Sequence, residues 1–581
     1  MAAGNSPGGK RISDLLIIGT FIVAGLSLGW MQAHTWSKQV GMDTASYLEI
    51  ADAVLRGDWK ELFRSYWSPL FPLFIALLKG TAGAGSDELV VLEWAVFASF
   101  AFSLVAFLLF ARQLLRLHDE SDIGYGYISL TARQLKLVLL SIFLYCSLAI
   151  SEISHKTPDP LATGVCLLAL SVWLPMCRGK NSTPRSLLLG FLLGLSYWAK
   201  NFNLSWAPPM VLMLIVLRKQ YKLEKTRLAA LLVAFIVSVS ALVIPISLVA
   251  GRFTFTDVGV SGAWSGQTGM RNVKHLALGA NGRGPEFLHP TRIFSTNPTF
   301  YEFATPFDVS YPVFYAPHYW YEGVKYWIDW RHYLFELWNK ILIYIVQLGA
   351  FVFVFLAFRF IGRSFPLSRE RLILFSPDLI ANLIGLALLF FMLEQAARYY
   401  PSTLIPLLSL LVASVKLPNT ALCRRGVTAG AMFLIIVMMA GLSFKSLMVY
   451  YFYSPAFAHA IDRAAKTQGP PSPPVSGHVE IISALKNAGI KPGDRVARIG
   501  FGDFYWAKGA GVKIVCESND LADFWSSTPE SRQVLYKKLK DFGVKAIVQD
   551  GYLPKIKAEP HPKDPGWTKV EGLDAFIYVL P

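Results

Sequence analysis

Residues 41–67 read GMDTASYLEIADAVLRGDWKELFRSYW and bring acids into a chain that is otherwise apolar and basic. Asp43, Tyr47, Ile50 and Val54 fall at near-helical spacing, so a short amphipathic helix is expected here, with Asp43 at its start. The segment directly follows an apolar run at 13–31. An acid at a helix start beside a membrane surface is where a membrane enzyme can hold a general base or a metal ligand. The plain alternative is an N-cap on an interfacial helix. The rest of the chain has to decide between them.

The 581 residues are 54% hydrophobic and only 16% charged, and the mean hydropathy is +0.42. These values exclude a large soluble globule and describe a mainly α, polytopic membrane protein with soluble parts. Lys10 and Arg11 precede the first apolar run, as in a signal peptide. No small-x-small cleavage site follows before Trp36, however, so the run reads as a retained first helix. The net charge of +16 calls for no nucleic acid, because most of the excess lies in short loops between apolar segments. Cys146, Cys166, Cys177, Cys423 and Cys516 show neither paired nor metal-like spacing, so no disulfide framework is expected.

Apolar spans are expected near 13–31, 88–111, 135–151, 159–177, 186–199, 203–217, 228–250, 339–358, 372–392, 400–415 and 427–450, about eleven in all. The stretch SPLFPLFIALLK at 68–79 is short and holds two prolines, which suits an interfacial or re-entrant piece. With the N-terminus placed in the cytoplasm, the inside segments hold 21 basic residues and the short outside segments hold 8. That bias puts the loop 251–338 and everything after 450 outside.

From about 478 the pattern changes. HVEIISALKNAGI and SRQVLYKKLKDFGV read as helices, while DRVARIG, VKIVCE, KAIVQD and AFIYVL read as strands, so a small α/β domain is expected. The expected organisation is therefore a membrane module at 1–450, a linker at 451–477 with a Pro/Gly/Ser-rich run at 468–477, and an extracytoplasmic α/β domain at 478–581. Gly500-Phe-Gly502 lacks the third glycine of a dinucleotide loop and reads as a turn.

With this topology the unusual polar groups converge on one face. Asp43 lies outside, as do Glu152, His155, Lys156 and Asp159 between two spans, Lys200 at the next outer turn, and Glu394 and Arg398 at another. Each has an ordinary reading: Lys200 as a snorkelling lysine, Arg398 as a helix-end charge, and the 152–159 set as caps of a tight loop. Their number on one face favours function. A basic set of Lys156, Lys200 and Arg398 suits a lipid-linked phosphate. An acidic set of Asp43, Asp159 and Glu152 suits a base or a divalent cation. The loop 251–338 carries many rings, among them Trp264, Tyr311, Tyr319, Trp320 and Trp330, together with Arg271, Lys274, His275, Arg283 and Arg292. This composition reads as an aromatic belt, or as a lid that stacks on sugars and holds phosphate.

Five pieces in order then resemble one family. MDTASYLEIADAVLRGDW, SPLFPLFIALLKG, KTPDPLATGVCLLAL, LLLGFLLGLSYWAKN and RYYPSTLIPLL resemble segments of the GT-C superfamily of polyprenyl-phosphate-sugar glycosyltransferases. The likeness is to the branch of the aminoarabinose transferases and protein O-mannosyltransferases. It covers residues 10–450, and the tail is compatible with that family's outer C-terminal domain. It implies sugar transfer, with inversion, from a polyprenyl-phosphate donor to a lipid, glycan or protein acceptor on the outer face of the membrane. It further implies Asp43 and Asp159 as catalytic acids, and Lys156, Lys200, Arg398, Arg271 and Tyr47 as substrate and phosphate binders. Asp43, Glu152 and His155 would be ligands of any divalent metal ion. The chain departs from the pattern at Trp67-Ser68-Pro69, where the aminoarabinose branch often carries an acid-basic pair. The departure counts against a lipid A acceptor and against a metal site built there. The rival class is a transporter or flippase of lipid-linked glycans, but no matching pair of broken-helix segments in two halves is visible.

Overall fold

The computed structural model describes residues 7–35, 40–64, 66–83, 85–119, 126–256, 258, 271–273, 276–278, 286–287, 291–303, 309–311, 328–391, 397–452, 478–500, 504–518, 521–550, 562, 564–573 and 575–581. The chain divides into two units. The first comprises Met1–Thr35, Ser68–Thr254 and Leu337–Tyr450, and the second comprises Trp36–Trp67, Phe255–Glu336 and Tyr451–Pro581.

The first unit is a helical bundle. Seven of the described helices are long and apolar enough to cross a membrane: Leu16–His34, Glu88–His118, Ala132–Ile150, Asp159–Met176, Lys225–Ala250, Trp330–Gly362 and Ala421–Met448. The chain is thus a multi-pass membrane protein. The apolar runs at 186–199, 203–217, 372–392 and 400–415 form shorter helices, Thr183–Ala199, Ala207–Val216, Ser376–Phe391 and Pro401–Ala413. The proline-bearing stretch at 68–79 forms the short helix Leu70–Ala82. Gly190 and Gly194 let Thr183–Ala199 lie close against Lys225–Ala250. A Cβ on Gly190 would come within 2.1 Å of the Leu231 carbonyl oxygen, and one on Gly194 within 2.5 Å of Ser238. Small residues four apart allow this approach in the absence of a hydrophobic drive between helices. The crossing fixes the helix that ends at Lys200.

The second unit is built on a seven-stranded sheet. In chain order its strands are β1 (Thr291–Thr296), β2 (Thr299–Phe303), β3 (Arg495–Ile499), β4 (Lys513–Ser518), β5 (Val544–Asp550), β6 (Trp567–Lys569) and β7 (Ala575–Val579). Across the sheet the order is β6-β7-β5-β3-β4-β2-β1. Strands β5, β3 and β4 run parallel, as their helical crossovers require, and the remaining pairs are antiparallel. The tail strands expected from sequence are all present. The hairpin β1–β2, by contrast, comes from the middle of the expected aromatic loop. It pairs with β4 through Tyr301↔Glu517 and Glu302↔Cys516, and its Phe294 and Phe300 join the core around Phe524, Trp525, Leu535 and Ile547. A separate three-stranded sheet holds Arg271–Val273, Leu276–Leu278 and Glu286–Phe287.

Candidate functional site

In the first unit three helix ends meet, and proline or an irregular turn marks each one. Asp159 opens the helix Asp159–Met176, with Pro158 before it and Pro160 in its first turn. Lys200 ends Thr183–Ala199 in extended backbone and leads into the 3₁₀ turn Asn201–Ser205. Arg398 sits in the 3₁₀ turn Ala397–Tyr399, just before Pro401–Ala413. The preceding span ends in a π turn, Tyr145–Ile150, a device that often re-aims the chain at functional sites. Beyond it Glu152 and Lys156 both take φ of +53°, a left-handed backbone that costs non-glycine residues about 1–3 kcal/mol each. Such strain is held only where surrounding packing enforces it.

These ends bring the basic set onto one carboxylate. Asp159 is buried and ion-paired through Oδ1 with Lys200 Nζ. Its Oδ2 accepts a 2.6 Å hydrogen bond from Thr157 and lies 3.9 Å from Arg398 Nε. Lys200 Nζ sits 3.7 Å above the centroid of the Tyr399 ring, with the Arg398 guanidinium 5.5 Å from it, which adds cation–π attraction to both bases. Lys200 is therefore not a lysine merely reaching for water. Next to it, the Asn201 N–H donates to Ser68 Oγ at 2.9 Å. Ser68 thus ties down the turn that follows Lys200.

Lys156 is buried, and burial pushes its ammonium down to about 8, with Glu93 opposing. Glu93 itself is paired with His34 at 2.7 Å. Sequence reading missed both residues because they lie within the apolar run 88–111 and just past the first span. Glu152 is ion-paired with Lys445, another base missed inside an expected span, and lies 3.8 Å from His155. Burial holds the His155 imidazole below its ordinary range, against the pull of Glu152. With an ammonium already on Glu152, the Glu152–His155 pair does not fit a divalent cation. No three of His, Cys, Asp and Glu gather as a metal site among the described residues. Glu394 lies outside the described residues.

Asp43 belongs to the second unit. It lies half-buried in the first turn of the helix Met42–Leu55, and Gly41 occupies the N-cap without any side-chain cap. Asp43 is therefore not the N-cap residue of this helix. Tyr47 is buried, with its ring edge-on to Trp67 at 5.0 Å. Further along the helix, Glu49 accepts hydrogen bonds from the N–H (3.1 Å) and the hydroxyl of Ser310, and Asp52 pairs with Lys508 at 2.7 Å. Burial raises the Glu49 carboxyl above its ordinary range, with Lys508 pulling it back. Arg271 lies on the strand Arg271–Val273, and Lys274, His275, Arg283, Trp264, Tyr319 and Trp320 fall outside the described residues.

No protein-family model matches the sequence, and no curated protein matches it. Among solved structures, ArnT from Cupriavidus metallidurans bound to undecaprenyl phosphate aligns over 92% of this chain and 93% of that one, with a TM-score of 0.50 and 14% identity. ArnT in the apo state aligns over 93% of both chains, with a TM-score of 0.46 and 12% identity. The oligosaccharyltransferase of Archaeoglobus fulgidus in the apo form aligns over 91% of this chain and 69% of that one, with a TM-score of 0.44 and 11% identity. At these identities the likeness speaks to the fold, and of the three the first carries it. A helical membrane bundle and an α/β unit, aligned nearly end to end with ArnT, give this chain the fold of that structure.

Proposed function

We propose that the chain is an integral-membrane glycosyltransferase. It moves a hexosyl or pentosyl group from a polyprenyl-phosphate donor to a lipid, glycan or protein acceptor on the outer face of the cytoplasmic membrane, with inversion at the anomeric carbon. The observation that carries this reading is the sharing of Asp159 by Lys200 and Arg398 in a chain of this fold. An ammonium and a guanidinium brought to one carboxylate are the groups that bind a phosphate through charge-assisted hydrogen bonds. The undecaprenyl phosphate bound to ArnT supports a donor of the same class here.

On this reading Asp43 takes the proton from the acceptor hydroxyl as it attacks the sugar. Polyprenyl phosphate leaves with its charge met by Lys200 and Arg398, so its departure requires no general acid. Asp159 orients the two bases, while Lys156 and Arg271 add positive charge and Tyr47 supports the acid-bearing helix. No step is routed through a metal ion. The basic bias of the short loops supports a sidedness in which residues 251–338 and the tail face outward.

The deciding experiment supplies a radiolabelled polyprenyl-phosphate sugar to the purified chain in liposomes. Label appearing on an acceptor, with free polyprenyl phosphate released, is the expected result. Label crossing the bilayer still attached to its lipid would identify a flippase instead. Accessibility labelling of cysteines placed in the tail tests the sidedness, and a tail protected in intact cells would overturn it.

A further inference from the structure

The helix Met42–Leu55 is held at both ends by its own unit. Before its first turn, the Val40 carbonyl accepts a hydrogen bond from the His478 ring. Two turns beyond Asp43, Glu49 receives two hydrogen bonds from Ser310. One turn later Asp52 meets Lys508, whose helix Tyr505–Ala510 belongs to the α/β fold. Lys508 also acts electrostatically on Glu49, so a single ammonium answers two carboxylates one turn apart. Residues at i and i+3 share a helix face, which fixes the rotation of the helix as well as its position. Asp43 stands between these fastenings.

We infer that Asp52, Glu49 and Lys508 are positioning residues that aim Asp43, and that the C-terminal α/β fold is a working part of the catalytic apparatus. The inference rests on the proposed role of Asp43. A general base must lie within hydrogen-bond reach of the proton it takes, and a displacement of about 1 Å can cost on the order of a hundredfold in rate. A helix loosened at its far end holds the rotation and position of its first turn less tightly.

The test compares Asp52→Lys, Lys508→Asp and the double exchange in the full-length chain. Two readouts are taken: amide hydrogen exchange across Met42–Leu55, and kcat with KM for a polyprenyl-phosphate sugar. Each single variant is expected to speed exchange in this helix and to lower kcat about tenfold or more, with donor KM unchanged. The exchanged pair should recover both. Unchanged exchange in the single variants overturns the fastening. Faster exchange with wild-type kcat overturns its positioning role, as does a double exchange that rescues neither readout. Asp43→Asn, measured alongside, tests the underlying reading separately: a wild-type kcat there removes the base, while the exchange data still report whether the helix is fastened.

Discussion

Two buried ion clusters, one in each unit, look alike in composition and differ in closure. In the second unit Arg532 and Asp564 meet fork to fork, with Nε–Oδ2 at 2.7 Å and Nη2–Oδ1 at 2.6 Å. Tyr536 adds a hydrogen bond at 2.8 Å, and the Trp525 ring lies 5.1 Å from the guanidinium. This pair is neutral, bidentate and sealed in the core. In the first unit one carboxylate, Asp159, serves two bases, of which Arg398 stands off at 3.9 Å, and the bases remain partly open to their surroundings (13% and 21% exposed). A closed neutral pair organises a fold. A partly open cluster that brings two bases to one carboxylate is, on the proposed function, where an anion is received.

The contrast can be broken most forcefully at the closed pair. Asp564→Asn leaves a buried guanidinium without its counter-charge, so the second unit should lose about 3–5 kcal/mol, read as an earlier melt or faster exchange of its sheet. Asp43→Asn comes next. It should leave a folded protein whose turnover falls about a hundredfold or more in the transfer assay. At the open cluster, Lys200→Ala or Arg398→Ala should weaken donor use by about 1–3 kcal/mol each, with no shift in the melt of the second unit. A Lys200→Ala variant with an unchanged donor KM would make the two clusters equivalent after all.

The smallest expected effect is a pH dependence. Burial, with help from Arg498, pushes His478 down to about 4 from an ordinary value near 6.5. Below about 6.5 the unfolded chain therefore binds a proton that the folded chain refuses. Stability is full above that pH and drains away as the pH falls towards 4, by about 2 kcal/mol at pH 5. His478→Gln, which keeps a donor for the Val40 carbonyl, should flatten that acid limb in a thermal melt taken from pH 7 to pH 4.5.

Much of this architecture is legible in the order of residues. Long apolar runs announce helices because a membrane leaves the backbone few other solutions, and alternating strands and helices in the tail announce its parallel core. The helix presenting Asp43 follows from its own periodicity. Pairings between distant segments are harder to read. Thr291–Phe303 sits in a stretch crowded with rings and turns, and nothing local says that its edge belongs beside Lys513–Ser518. Glu49 and Asp52 look like ordinary helix acids until Ser310 and Lys508 arrive from 261 and 456 residues away. Glu93 and Lys445 are single charges inside apolar runs, and a hydropathy average conceals them.

The hairpin β1–β2 also constrains how the chain is made. Its partner strand β4 begins at Lys513, roughly two hundred residues after the hairpin ends, and among the described residues five α-helices of the membrane unit lie between them. At about 5–20 residues per second of synthesis, the open edge of β2 waits on the order of 10–40 seconds before its neighbour exists. During that interval it presents unpaired backbone donors and acceptors beside Phe294 and Phe300, a surface suited to sticking to another nascent chain. Shielding that edge until β4 has been synthesised should therefore raise the yield of folded protein.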